Sequence, residues 1–346
     1  MISGGDFEIQ KIAEGVFAAI RTEPVGFGVD ANVTFIINDD DAIVIDTNIS
    51  PGSAKETLAA LRKLTAKPVR YVVNTHWHDD HIMGNQVYRD AFPGVEFIAH
   101  ANTRAYLPTK GESVRKQQLD GAGQFAVTLR GQLDKNKSLT GADLTEEERA
   151  SYSSDIKIIE RYVGEDAGAQ IILPTLTIED RLTLYRGNRV IEIRHLGRGH
   201  TSGDIVVHLP QEKIVITGDL VVWPVPLIGS DQSHIADWSA TLDKLMALHP
   251  ATFIPGHGQV LHDDSYVKLM ANLLVSVKQQ TDAAVARGET LDQARKSVNL
   301  DELRKAFAGD SRVRILVFRN YVEYPAVEAA FHEASAKPAA NPAVNP

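Results

Sequence analysis

Between residues 75 and 81 the chain reads Thr75-His76-Trp77-His78-Asp79-Asp80-His81. Three histidines and a carboxylate stand at H-x-H-x-D-H spacing, a density of donor groups that suits metal ligation. The apolar run Val69 to Val73 predicts a strand that continues to Thr75 and delivers His76. His78 then points to the same side, because side chains on an extended chain alternate with period two. A helix predicted from near His81 to before Pro93 puts Asp80 and His81 in its first turn. One loop thereby offers two imidazoles to one cation and a carboxylate–imidazole pair to a second. Nitrogen and oxygen donors without sulfur suit zinc, with iron or manganese as alternatives.

Two cations need more ligands, and the chain supplies them at later strand ends. His200 lies in Gly199-His200-Thr201-Ser202-Gly203-Asp204, directly before the predicted strand Ile205 to His208. Asp219 follows the strand Lys213 to Thr217, and His257 follows the strand Thr252 to Ile254. Glycine flanks each of the three, which allows the backbone close to a metal.

The elements that must position these groups alternate strand and helix. Phe7 to Ile12 with Val16 to Arg21, and Val33 to Ile37 with Ala42 to Ile45, read as hairpins. Pro51 opens a helix through Leu64, and Val95 to Ala99 is a further strand. Residues 103–165 are polar and mostly helical, interrupted by glycines at 121, 123, 131 and 141, with a capping-box signal at Thr145-Glu146-Glu147-Glu148. Strands resume at Ile171-Ile172-Leu173, Leu182 to Tyr185 and Val190 to Ile193; a helix follows from Asp237 to Leu248. Beyond His262 the pattern is helical to about Ala334, with Leu269, Leu273, Val277 and Val285 on one face. Strand-rich halves between helical segments predict two sheets enclosed by helices.

The ordered set resembles the metallo-β-lactamase-fold superfamily. The resemblance runs from about Val33 to His262 and covers five motifs: Asp46 in Val44-Ile45-Asp46-Thr47, then His76 to His81, His200, Asp219 and His257. It implies an α/β fold, an αββα sandwich over residues 1–262 with a helical insertion at about 103–165. A C-terminal helical annex over 263–334 and a disordered tail over 335–346 complete the expected organisation. It also implies that His76, His78 and His200 hold one metal, that Asp80, His81 and His257 hold the other, and that Asp219 bridges them. Asp46 would orient a ligand by a hydrogen bond. The implied activity is hydrolysis of a lactam, lactone, ester or thioester by hydroxide bound to two Zn²⁺ ions, with Asp80 and Asp219 as the catalytic carboxylates. Aspartate at 219, where zinc β-lactamases of the first subclass carry cysteine, is similar to the glyoxalase II, lactonase and phosphodiesterase branches. Histidine at 78, where flavodiiron proteins carry a carboxylate, favours the hydrolase side. The alternative is a mononuclear Fe²⁺ thiol or persulfide dioxygenase of the same fold, which shares these motifs.

Other groups have plainer readings. Asp79 reads as a solvated turn residue and Asp204 as a turn cap near His200; Asp39-Asp40-Asp41 reads as a hairpin turn. The residue types of His195, His234 and His262 assign them no role. Arg198, beside His200, is the nearest basic group to bind a carboxylate, since Asp219 to Ser230 contains no lysine or arginine. The apolar loops Val25 to Val29 and Trp223 to Ile228 either wall a pocket or pack on the C-terminal helices.

Composition bounds the rest. The 346 residues are 43% hydrophobic and 23% charged, which excludes collagen-like, coiled-coil and disordered classes. A net charge of −9 argues against nucleic acid or an anionic membrane as partner, leaving a small-molecule substrate and a possible homodimer. No apolar run is long enough to span a bilayer. Cysteine is absent, so no disulfide or thiolate chemistry enters. The start of the chain shows no signal peptide. The expectation is a soluble protein, cytoplasmic or else periplasmic or secreted after signal removal.

Overall fold

The computed structural model describes residues 3, 4, 6–229 and 231–336. Two sheets face each other. The first has eight strands in sequence order: β1 (Ser3–Gly4), β2 (Phe7–Ala13), β3 (Val16–Arg21), β4 (Val33–Ile37), β5 (Ala42–Ile45), β6 (Val69–Val73), β7 (Glu96–His100) and β8 (Leu176–Ile178). Pairing is antiparallel as far as β5 and parallel from β5 to β8. The second has five strands: β9 (Arg181–Arg186), β10 (Arg189–Arg194), β11 (Val206–Leu209), β12 (Ile214–Val222) and β13 (Thr252–His257), with β12 and β13 parallel.

Helices cover both outer faces, as the resemblance implies. α1 (Pro51–Leu64), α2 (Asp79–Ile82) and α3 (Asn85–Ala91) follow strands of the first sheet. α4 (Ala101–Tyr106), α5 (Glu112–Lys135) and α6 (Glu146–Glu165) form the insertion. α7 (Ile235–Met246) lies between β12 and β13. The annex holds α8 (Ser265–Ala286), α9 (Leu291–Ser297), α10 (Asp301–Ala308), α11 (Arg312–Phe318) and α12 (Tyr324–Ser335). The tail expected over 335–346 lies, from residue 337 on, outside the described residues.

Three apolar layers hold the sandwich. Ile43, Ile45 and Val73 meet Ile193, Val207 and Ile216 between the sheets. Phe35 and Val44 meet Leu58, Leu61 and Tyr88 under α1 and α3. Val215 and Phe253 meet Trp238, Leu242, Met270 and Leu273 under α7 and α8. Burying each such side chain stabilises by about 1.5–3 kcal/mol before entropy is counted. Strands covered on both faces are rich in apolar residues: all nine residues of β12 are buried, with Thr217-Gly218-Asp219 between the apolar runs Ile214–Ile216 and Leu220–Val222.

Three local readings are corrected. The helix expected from His81 begins at Asp79 and breaks at Met83-Gly84, where a Cβ on Gly84 would stand 1.9 Å from the Thr47 carbonyl oxygen. Gly121, Gly123 and Gly131 do not interrupt α5, whose 24 residues pack along α6 through Leu129, Tyr152 and Ile156. Tertiary packing there outweighs the helix cost of about 1 kcal/mol per glycine. Ile171-Ile172-Leu173 forms no strand; these residues are apolar because they pack beside Trp77, Leu107 and Phe97, not because they join a ladder. The capping box at Thr145 is present, with Thr145 Oγ1 accepting the Glu148 amide at 3.1 Å.

Candidate metal centre

β6 ends at Val73, two residues before the expected Thr75, so a loop delivers His76 and His78. Asn74 Nδ2 fixes that loop by donating to the His81 carbonyl at 3.0 Å and to Asn85 Oδ1 at 3.1 Å. The turn, rather than strand alternation, brings His76 Nε2 within 3.0 Å of His78 Nδ1. From the loop between β10 and β11, His200 Nε2 reaches the same nitrogen at 2.9 Å.

The remaining ring nitrogens have acceptors of their own. His200 Nδ1–H donates to the Leu227 carbonyl at 2.9 Å, and His78 Nε2–H to Gln232 Oε1 at 2.9 Å. Thr75 Oγ1 donates to Asp46 Oδ2 at 2.8 Å, so its oxygen accepts from His76 Nδ1 at 3.1 Å. Each imidazole therefore turns a lone pair towards the other two, with no proton between them. A cation resolves that arrangement, and His76, His78 and His200 fit one.

A second group adjoins it. His257 Nε2 and His81 Nε2 lie 3.0 and 3.3 Å from Asp80 Oδ2. Asp219 Oδ1 lies 3.3 Å from His81 Nε2 and 3.4 Å from His257 Nε2, while its Oδ2 lies 3.6 Å from His200 Nε2. His81 Nε2, His257 Nε2 and Asp219 Oδ1 are buried with no hydrogen-bond partner, as metal-ligating atoms would be. Asp80, His81 and His257 fit a second cation, and Asp219 stands between the two groups.

The charges follow from this packing. Burial, then mutual repulsion, holds His76 and His200 below the usual histidine range, His200 at about 3. Burial also lowers His78. Burial opposes ionisation of Asp80 and Asp219, yet His81 and His257 carry both well below the usual carboxylate range. Burial likewise opposes a charge on His257, which Asp219 and Asp80 push up to about 10; Asp80, Asp219 and Asp46 raise His81.

A cavity of about 460 Å³ opens over His78, Asp80, His200 and Asp219. Its walls are chiefly apolar: Phe27, Phe125, Ile158, Ile228, Tyr162 and Tyr321 stand among them, and among the described residues neither lysine nor arginine lines it. The walls from α5, α6 and the annex were not legible as site residues, because no motif marks a greasy helix face as a pocket wall. Both readings of the apolar loops hold. Phe27, Leu227 and Ile228 face the cavity, while Val225, Ile228 and Trp223 also pack with annex residues.

Asp79 is more than a turn residue. Its partly buried side chain takes the Tyr162 hydroxyl, lies 3.5 Å from Arg115 Nε and borders the cavity; burial lifts its carboxyl to about 6. Arg198 pairs with Asp237 on the surface instead of facing the cavity. His195 donates to the Asp204 carbonyl at 2.8 Å, His234 caps α7, and exposed His262 lines neither this cavity nor the smaller one beyond the Phe27 loop. Asp204 accepts from the Thr201 amide at 2.9 Å, as a turn cap should. Asp41 closes its hairpin with Asn38.

The family described as the metallo-beta-lactamase superfamily matches residues 26–257. A linear primary-alkylsulfatase from Pseudomonas sp. is 23% identical over 268 residues, 75% of this chain and 48% of that protein. The chain thus spans about half the length of that relative. A metallo-beta-lactamase type 2 from Bacteroides fragilis is 24% identical over 260 residues, 73% of this chain and 80% of that one. The solved metallo-beta-lactamase from Pontibacter korlensis superposes with a TM-score of 0.52 at 18% identity, covering 78% of this chain and 99% of that chain. The last likeness is one of fold. Among the described residues no helix is long and apolar enough to cross a membrane.

Proposed function

The chain belongs to the metallo-beta-lactamase superfamily, and from that premise we propose that it is a metal-dependent hydrolase of a carbonyl substrate: an ester, thioester, lactone or lactam. The observation that carries this reading is the set of imidazole nitrogens that converge with Asp80 and the unbonded Asp219 Oδ1 beside one cavity. His76, His78 and His200 would hold one zinc ion, Asp80, His81 and His257 a second, and Asp219 would touch both. Zinc ions held there supply Lewis acidity and acidify water, from a pKa of 15.7 to about 7 for a single zinc.

The chain's own groups do the rest. Asp46 and Thr75 aim the rings of His81 and His76. Asp80 faces the cavity as a carboxylate with Oδ2 turned to His81 and His257, so its other oxygen can accept a hydrogen bond from the attacking water and orient it. Water adds its oxygen to the acyl carbon, the bond to the leaving group breaks, and the proton ends on that group. Phe27, Phe125 and Ile228 shield the reacting carbonyl from bulk solvent.

Metal analysis of protein purified without added metal, paired with hydrolysis of phenyl acetate, tests this. Two zinc ions per chain with turnover is the expected result. One iron per chain without turnover would overturn it in favour of the dioxygenase.

A further inference from the structure

The loop between β3 and β4 is held from three sides by elements outside the sandwich. From α6, the Asp155 carboxylate accepts the Gly28 amide at 2.9 Å and also bonds the Phe27 amide. From the annex, Tyr321 Oη donates to the Phe27 carbonyl at 2.8 Å. From α5, the Phe125 ring meets Phe27 edge-on at 5.3 Å. The fit is close: a Cβ on Gly26 would stand 2.1 Å from Asp155 Oδ1. Asp155 is fully buried, and its Oδ2 has no hydrogen-bond partner. A buried carboxylate costs several kcal/mol to desolvate, so a position that keeps one only to bind loop amides points to the loop's placement.

That loop is a wall shared by two cavities. Phe27, Gly28 and Val29 line the 460 Å³ cavity over His78 and His200. Val25, Gly26, Gly28 and Val29 line a second one, of about 210 Å³, which reaches His257 and is bounded by Trp223, Val225 and Val317. The two meet at the metal centre, where His257 Nε2 of the smaller lies 3.0 Å from Asp80 Oδ2 of the larger. Arg21 beside the smaller cavity is already paired with Glu23 and Asp30, so it offers no free cation to an anionic ligand.

We propose that Asp155 is a positioning residue that makes residues 25–29 a fixed partition, so that the cleft takes an uncharged ester or amide with an apolar group on each side of the scissile bond, one in each cavity. The substrate half of this proposal rests on the hydrolase reading above; the partition half does not.

Two readouts separate the halves. The first is amide hydrogen exchange at Phe27 and Gly28. Asp155→Ala is expected to speed exchange there by about tenfold or more, with metal content unchanged, while Asp155→Asn, which keeps an acceptor oxygen, stays near wild type. If Asp155→Ala does not fold, Tyr321→Phe removes the hold on the Phe27 carbonyl and is expected to speed exchange at the same loop. Wild-type exchange in the variant that folds overturns the partition. The second readout is steady-state kinetics on phenyl butyrate, which has two apolar arms, against methyl butyrate and phenyl acetate, which have one. Asp155→Ala is expected to raise KM for phenyl butyrate about tenfold with kcat within about threefold, and to change the one-armed esters by less than about twofold. An equal rise for all three esters overturns the two-cavity substrate. Absence of all turnover in the wild type, with the exchange result as expected, overturns the hydrolase reading and the substrate but not the partition.

Discussion

Asp46 Oδ2 lies 2.8 Å from His81 Nδ1, and the same carboxylate accepts the Thr75 amide at 2.8 Å. One side chain thus holds a His81 proton on the nitrogen remote from Asp80 and Asp219 and ties the loop of His76 and His78 to the end of β5. Asp46 has φ +60°, a conformation asparagine tolerates, so Asp46→Asn should fold. With one acceptor oxygen in place of two, it should weaken the second metal by about 10–100-fold. Competition with a chelator measures this, and unchanged affinity would remove Asp46 from that role.

The two halves of the centre should respond differently to substitution. His257→Ala should lower metal content by about one ion per chain and leave the first imidazole trio loaded. Asp219→Ala should deplete both positions, since its two oxygens face His81 and His257 on one side and His200 on the other. Asp204→Asn, whose partner is Thr201, should keep both ions. Equal metal loss in the Asp219 and Asp204 variants would refute the bridging position.

Legibility in the sequence followed the source of each constraint. The seven proposed ligands could be read because histidine and aspartate cluster at H-x-H-x-D-H spacing and recur beside glycine; the expected strand end before Asp219 was not met, since β12 runs through it to Val222. Strand boundaries such as Val33–Ile37 and Ala42–Ile45 were readable because β-branched and apolar residues dominate a doubly covered strand and the polar turn Asn38 to Asp41 separates the two. Phe125, Tyr162 and Tyr321 were not, because a cavity wall and a core face have the same composition. Asp79 was misread for a related reason: only the fold brings Tyr162 and Arg115, from a distant helix pair, against it.

Asp155 should leave a mark on stability. Burial raises its carboxyl from 3.8 to about 6, and among the described residues it forms no ion pair; Tyr321 and Tyr152 are titratable groups that feel its charge. A folded-state pKa above the unfolded one favours folding fully below pH 3.8, and the benefit disappears as pH rises through about 6. The stability of wild type relative to Asp155→Asn should therefore fall by about 2 kcal/mol between roughly pH 4 and pH 7. Denaturant melts of both proteins across that range measure it. A pH-independent difference would show an ordinary carboxyl.

The substrate profile should be broad. With no lysine or arginine lining the larger cavity among the described residues, an anionic substituent meets no described side-chain cation there. We expect modest hydrolysis across aryl esters, lactones and β-lactams. A chromogenic panel decides: kcat/KM of roughly 10⁷ M⁻¹s⁻¹ or more on a cephalosporin, near the top of the usual enzyme range, with nothing on esters, would contradict this.

His76, His78, Asp80 and His81 belong to the first sheet's side of the molecule, whereas His200, Asp219 and His257 belong to the second. Each proposed ion would therefore clasp the sheets together, the first across the 143 positions from His76 to Asp219 and the second across the 177 from Asp80 to His257. The unfolded chain presents no such constellation, so metal would bind the native state and add stability by mass action, RT ln(1 + [M]/Kd). At a free-ion level 1,000 times Kd that is about 4 kcal/mol per site, a large share of a typical domain's total. Metal supply would then govern the lifetime of the folded protein as well as its turnover.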